Sequence, residues 1–212
     1  MSNLRLILAK EIVKNLHATE QIGHLVVLRP TNHVIRGFLI ERTTTKDQFY
    51  LWAMVVPLFT PEMTNVSLNY SHRISHVSWT TDRLTVPINC NNLAKQVAQI
   101  LEENYMKHLA EIESPNDFLF EFESKGDFQR PNIALDFALA QCLSGNVKVG
   151  LQKLEDIFVS ESDAVILPKV KQIAKRVMNA LHVGEHAFNE LITEFEDDNV
   201  KRHFNGLSRT LA

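Results

Sequence analysis

Two pairs of histidines stand close enough in the chain to suggest metal or proton chemistry. In NYSHRISHVSW, residues 69 to 79, His72 and His76 lie four apart among Tyr70, Arg73 and Trp79. In HVGEH, residues 182 to 186, His182 and His186 bracket Glu185. Neutral imidazole is a common metal ligand, and a carboxylate beside a metal-bound water can take its proton. A spacing of four brings two side chains together on one side of an α-helix, whereas on a strand it leaves them on one face but far apart. Whether either pair can act together therefore depends on the element that carries it.

The first pair sits in a run with a period of two. Val66, Leu68, Tyr70, His72, Ile74 and His76 alternate with Asn65, Ser67, Asn69, Ser71, Arg73 and Ser75. This pattern predicts a half-buried strand with one wet face. Four residues along a strand cover about 13 Å, whereas zinc–nitrogen bonds are about 2 Å long, so these rings cannot share an ion. His72 and His76 are expected as core-edge histidines with hydrogen-bond partners. Beyond His76 the phase reverses: Val77 and Trp79 are apolar, Ser78 and Thr80 polar. A bulge or strand end near Ser75 to Val77 would absorb that slip. Tyr70, His72 and Arg73, polar or amphipathic residues beside the irregularity, are the candidate binding surface, with Asn69 and Ser71 on the face of Arg73.

The second pair matches H-x-x-E-H and over those five residues resembles the motif of the inverted zinc proteases. The resemblance implies a zinc-dependent hydrolase with His182 and His186 as metal ligands and Glu185 as general base. Such a site needs a further protein ligand. That family usually supplies a glutamate far downstream, and only 26 residues follow His186. Glu190 and Glu194 would lie on the same helix. Gly184 reads as a helix terminator with a new helix starting at Glu185. A chance match between two helices is the favoured reading, with no catalytic residue, metal or cofactor expected.

Composition narrows the remaining classes. The 212 residues carry 22 Lys/Arg against 25 Asp/Glu, a net charge of −3 that gives no reason to expect nucleic acid as a partner. Residues 1–89 carry +3 and residues 90–212 carry −6. Seven glycines form no G-x-x-x-x-G-K, G-x-G-x-x-G or G-x-S-x-G, the loops that cradle phosphates or expose a nucleophile. Cys90 and Cys142 have no metal-site or disulfide-scaffold spacing and read as reduced thiols. Lys10, Glu11 and Lys14 interrupt the N-terminal apolar run, so no secretory signal is expected; nor is a membrane partner. The expected location is cytoplasmic. KVKQIAKR (Lys169, Lys171, Lys175, Arg176) reads as a solvated helix face, and Asp197 and Asp198 in EFEDDN as caps of a short last helix.

The elements follow from periodicity. Leu4, Leu8, Ile12 and Leu16 predict an N-terminal helix with Ser2 as its cap, and Gly23 marks the change to strand. HLVVLR, HVIRGFLIERT and FYLWAMVVPLF, separated by short polar turns, predict antiparallel strands. The last of these is apolar on both faces, as for a covered central strand. From residue 91 the period becomes helical: Leu93, Val97, Ile100, Leu101, Met106, Leu109 and Ile112 trace a stripe. Ser114 followed by Pro115 signals a helix start. Residues 132 to 158 read as two helices around Ser144-Gly145-Asn146. That hairpin is similar to a tetratricopeptide-type unit, with small residues Ala138 and Ala140 in its first helix. No second copy follows at a fixed spacing, so the similarity implies hairpin packing and not a repeat array. Further helices follow Pro168 and carry Phe188 to Phe195.

The sequence thus predicts an α+β fold. An N-terminal helix and an antiparallel meander of four or five strands (1–89) precede an all-helical half of helical hairpins (90–212), packed against the sheet as one unit. The boundary is expected near Pro87 to Asn91. Lacking a coherent catalytic set, the chain is expected to be a non-catalytic cytosolic protein that binds another protein, as an adaptor or a toxin-neutralising inhibitor does. The zinc hydrolase is the alternative.

Overall fold

The computed structural model describes residues 2–29, 31–43, 48–61, 69–74, 79–80, 87–125 and 127–207. It has the predicted α+β architecture: an N-terminal helix, an antiparallel sheet, then helices. Helix α1 (Ser2–Val13) buries Leu8, Ala9 and Ile12. Strands β1 (Thr19–Ile22) and β2 (Leu25–Leu28) form a hairpin in which Ile22 faces Leu25. Gly23 therefore sits in a hairpin turn rather than ahead of the sheet. The sequence reading missed β1 because TEQI carries no apolar alternation, only Ile22 being buried.

The sheet continues through β3 (Val34–Arg42), β4 (Gln48–Pro57) and β5 (Tyr70–Arg73), in the order β1-β2-β3-β4-β5, while β6 (Trp79–Thr80) also pairs with β4. Trp52 on β4 faces Arg73 on β5, whereas Phe49 faces Trp79 on β6. Three steps along β4 thus match six along the partner chain. The excess shows that the pairing register with β4 does not run on regularly from Arg73 to Trp79. The expected bulge at Ser75 to Val77, and His76 with it, lie outside the described residues.

Helix α2 (Pro87–Leu101) packs on α1 and continues through a π-helical turn (Glu102–Met106) into α3 (Lys107–Ala110). The wider π turn rotates the helix faces, so the stripe is interrupted. Val97, Leu101, Leu109 and Ile112 are buried, but none of the five π-turn residues is. Arg36, 2% exposed within β3, donates from Nη1 to the Ala110 carbonyl at 3.0 Å. These helices belong with the sheet: one compact unit comprises Met1–Val56, Tyr70–Ile112 and Gly206–Ala212, the other Pro57–Asn69 and Glu113–Asn205. The expected boundary near Pro87 coincides with the change from strand to helix and not with this division.

The second unit contains α4 (Pro115–Phe122), α5 (Pro131–Leu143), α6 (Val147–Val159), α7 (Leu167–Val183) and α8 (Glu185–His203). Helix α4 starts where Ser114 and Pro115 signal it. The Asp117 amide donates to Ser114 Oγ at 3.2 Å, and the Ser114 amide donates to Asp117 Oδ2 at 2.9 Å. Phe118 anchors an aromatic cluster with Phe59, Phe122 and Phe137. Helices α5 and α6 form the predicted hairpin and meet closely at Gly150. A Cβ there would lie 2.3 Å from Cys142 Sγ and 2.8 Å from the Ala138 carbonyl oxygen.

The predicted break at EFEDDN does not occur: α8 runs unbroken to His203. Its polar residues divide between faces. Asp198 pairs with Arg202 outside, while Glu196 and Asn199 are buried. The Asn199 amide donates to the Leu58 and Thr60 carbonyls, both at 2.7 Å.

Two stability measurements check this packing. By helix propensity alone Gly150→Ala would stabilise α6 by about 1 kcal/mol. The close approach to Cys142 reverses the sign, and urea denaturation should show a loss of about 1–3 kcal/mol. Asn199→Ala leaves two buried carbonyls without donors and should cost about 2–3 kcal/mol in the same assay.

Candidate functional site

Strand β5 places the three sequence-predicted contact residues on two different faces. Tyr70 is buried and faces Val55; His72, on the same side, faces Ala53. His72 is exposed rather than core-edge, and its ring stacks on Tyr105 with centroids 6.4 Å apart. Tyr105 belongs to the π turn, which buries none of its residues, and this explains why the histidine stays open to solvent. Arg73 points to the opposite face, where it faces Trp52. Arg73 is thus separated from Tyr70 and His72.

On that opposite face Arg73 joins residues the sequence reading did not single out. Its guanidinium carbon sits 3.7 Å from the centre of the Tyr50 ring, a close cation–π contact. Trp52 Nε1 donates to Glu41 Oε2 at 2.8 Å, which fixes the indole. Glu41, Tyr50, Trp52, Ser71 and Arg73 are all half-buried and stand on three neighbouring strands. Along β4 the inward residues Phe49 and Leu51 alternate with Tyr50 and Trp52. The polar caps supplied by Arg73 and Glu41 let two large rings remain half-exposed. Among the described residues Arg73 Nε has no hydrogen-bond partner and is shielded from solvent, and so is Ser71 Oγ two residues earlier on the same face.

This cluster can present flat aromatic surface, one cation and one anion on a rigid support. It holds no nucleophile paired with a base. The one-dimensional signal for it, Tyr50 and Trp52 at a spacing of two, was masked by the apolar character of both faces of FYLWAMVVPLF.

The HVGEH segment is divided as its glycine foretells. Helix α7 ends at Val183, and α8 begins at Glu185. Gly184 between them has φ 138° and ψ 174°, a conformation open to glycine and strained for other residues. His182 Nδ1 lies 2.7 Å from the Met178 carbonyl oxygen, back along α7, while His186 Nε2 lies 3.4 Å from Glu190 Oε1, forward along α8. The shared helix face that a zinc pair needs is therefore interrupted. Among the described residues no three His, Cys, Asp or Glu side chains are grouped as an ion would require. In KVKQIAKR, Arg176 donates to both carboxylate oxygens of Glu194, at 2.9 and 3.1 Å, and so loses part of the charge a phosphate backbone would need. Both cysteines are buried, and burial raises the thiol pKa, that of Cys142 to about 11.

Comparison with protein-family models, with curated proteins and with solved structures gives no match to this chain. Among the described residues no helix is long and apolar enough to cross a membrane.

Two chemical measurements follow from this geometry. Protein dialysed against micromolar zinc and then desalted should show the same metal content, by mass spectrometry, as its His186→Ala variant. Near-stoichiometric zinc lost on that substitution would establish the hydrolase site. At pH 7.5 both thiols should resist iodoacetamide in the native chain and react within minutes in guanidinium, because protonated, buried sulfur is a poor nucleophile.

Proposed function

We propose that this chain is a non-catalytic protein that binds another protein, in the manner of an adaptor or inhibitor, through the half-open face carrying Tyr50, Trp52 and Arg73. The observation that supports this reading is the company these residues keep. Tyr, Trp and Arg dominate binding energy at protein interfaces. Here all three are half-exposed, mutually oriented and held on strands, so little side-chain entropy is lost on binding. Two unbridged, buried cysteines suit a reducing compartment, and the cytosol is the proposed location.

A photo-crosslinker at position 50 tests the proposal in native lysate, with mass spectrometry as readout. A single dominant partner should be captured. The same probe at position 120, where Phe120 is 90% exposed in the other unit, should not capture it. Once the partner is purified, Trp52→Ala should weaken binding by about 2 kcal/mol, roughly thirtyfold, with unfolding stability little changed. Capture of no dominant partner, or of the same proteins from both positions, would overturn this reading.

A further inference from the structure

We propose that Arg73, with Ser71 beside it, takes a carboxylate side chain from an acidic segment of the partner protein. The inference rests on the protein-binding reading above and specifies what the bound surface must offer. Both residues lie on the same face of β5, two positions apart. Each carries a polar atom, Arg73 Nε and Ser71 Oγ, that is shielded from water and has no hydrogen-bond partner. Buried donors without acceptors are rare in native structures and cost stability where they stand. An acceptor that displaces the side chains covering these atoms would offset part of that cost.

Arginine stacked on an aromatic ring keeps its N–H donors in the plane of the guanidinium, in the fork that matches a carboxylate. The Tyr50 ring, 3.7 Å from the guanidinium carbon, holds that fork in place before any ligand arrives. Glu41, the other charged residue of the cluster, is occupied by the Trp52 indole. It thereby keeps the indole alongside, and among the described residues no ion pair joins it to Arg73.

The charge count selects the ligand. One guanidinium complements a single negative charge, whereas a phosphate group brings nearly two. With Glu41 on the same face the cluster carries no net positive charge, so repulsion opposes a phosphate dianion more than a single carboxylate. The site thus fits Asp or Glu of a partner better than a phosphorylated residue.

Titrating the ¹⁵N-labelled 212-residue chain with N-acetylated, amidated peptides tests the assignment. Tetraglutamate, tetraalanine, tetralysine and a phosphoserine-containing tetrapeptide serve as probes, with the Arg73 Nε–H and Trp52 Nε1–H resonances as readout. Tetraglutamate should shift both in a saturable way. Binding should weaken at least about tenfold in Arg73→Gln and less in Arg73→Lys, which keeps the charge and loses the fork. Ser71→Ala should weaken it modestly. Unchanged amide resonances away from β5 will show that each variant is folded; Arg73→Lys and Ser71→Ala carry the test if Arg73→Gln is not. Equal shifts from tetraalanine or tetralysine would refute the carboxylate assignment and leave the face as a peptide-binding surface. Tighter binding of the phosphopeptide would also refute it, in favour of phosphate. Absence of any shift with all four peptides would overturn the assignment, while the crosslinking result decides the broader reading separately.

Discussion

The alternation of side chains along β4 is the constraint on which the first unit depends. This strand pairs with β3, β5 and β6, so its register sets which residues of all three face inward. Phe49 and Leu51 are almost completely buried; Tyr50 and Trp52, between and beyond them, are half-exposed. Moving the strand by one residue would exchange the two sets. Burying a Phe or Leu side chain contributes about 1.5–3 kcal/mol, so losing both would remove roughly 3–6 kcal/mol. A typical domain has only about 5–15 kcal/mol of net stability. The register is therefore strongly held. The aromatic face is its necessary consequence, because whatever fixes Phe49 inside also fixes Tyr50 and Trp52 outside.

Buried polar groups give each unit a connection that apolar packing alone would leave unspecified. In the first unit Arg36 reaches from the sheet to the carbonyl of Ala110. That carbonyl lies at the end of α3, where the helix dipole is negative and a cation is favoured. Hydrophobic contacts tolerate sliding, whereas a charged group out of water tolerates only positions where acceptors meet it. In the second unit Asn199 does the same for the segment at Leu58 to Thr60, with both amide hydrogens used. An aspartate there could accept but not donate, and a leucine could do neither. The identity of the residue follows from the two carbonyls in front of it.

Much of the fold was legible in the sequence, and the exceptions share a physical cause. The helical hairpin around Gly145, the start of α4 at Ser114 and the stop at Gly184 depend on local chemistry: a turn, a capping pair, a backbone angle. What escaped was decided by tertiary partners. TEQI becomes a strand because β2 lies beside it. EFEDDN stays helical because Glu196 and Asn199 point inward, where charge and polarity would not be expected. The π turn interrupts the helical stripe without any glycine or proline to announce it.

The contrast between the two histidine-bearing segments explains why the site was harder to read than the fold. A helical motif is written in adjacent turns, so H-x-x-E-H is conspicuous in the chain whether or not the helix is continuous. One glycine backbone angle at position 184 is enough to divide it. On a sheet the neighbours in a candidate site come from different strands: Trp52 meets Arg73, and Glu41 reaches Trp52, only once pairing has occurred. No fixed spacing records such contacts, since loop lengths between strands vary freely. Reading Arg73 as a surface residue required only the period of two. Finding what it stands against required the register of β4, which hydrophobic burial sets and sequence spacing does not.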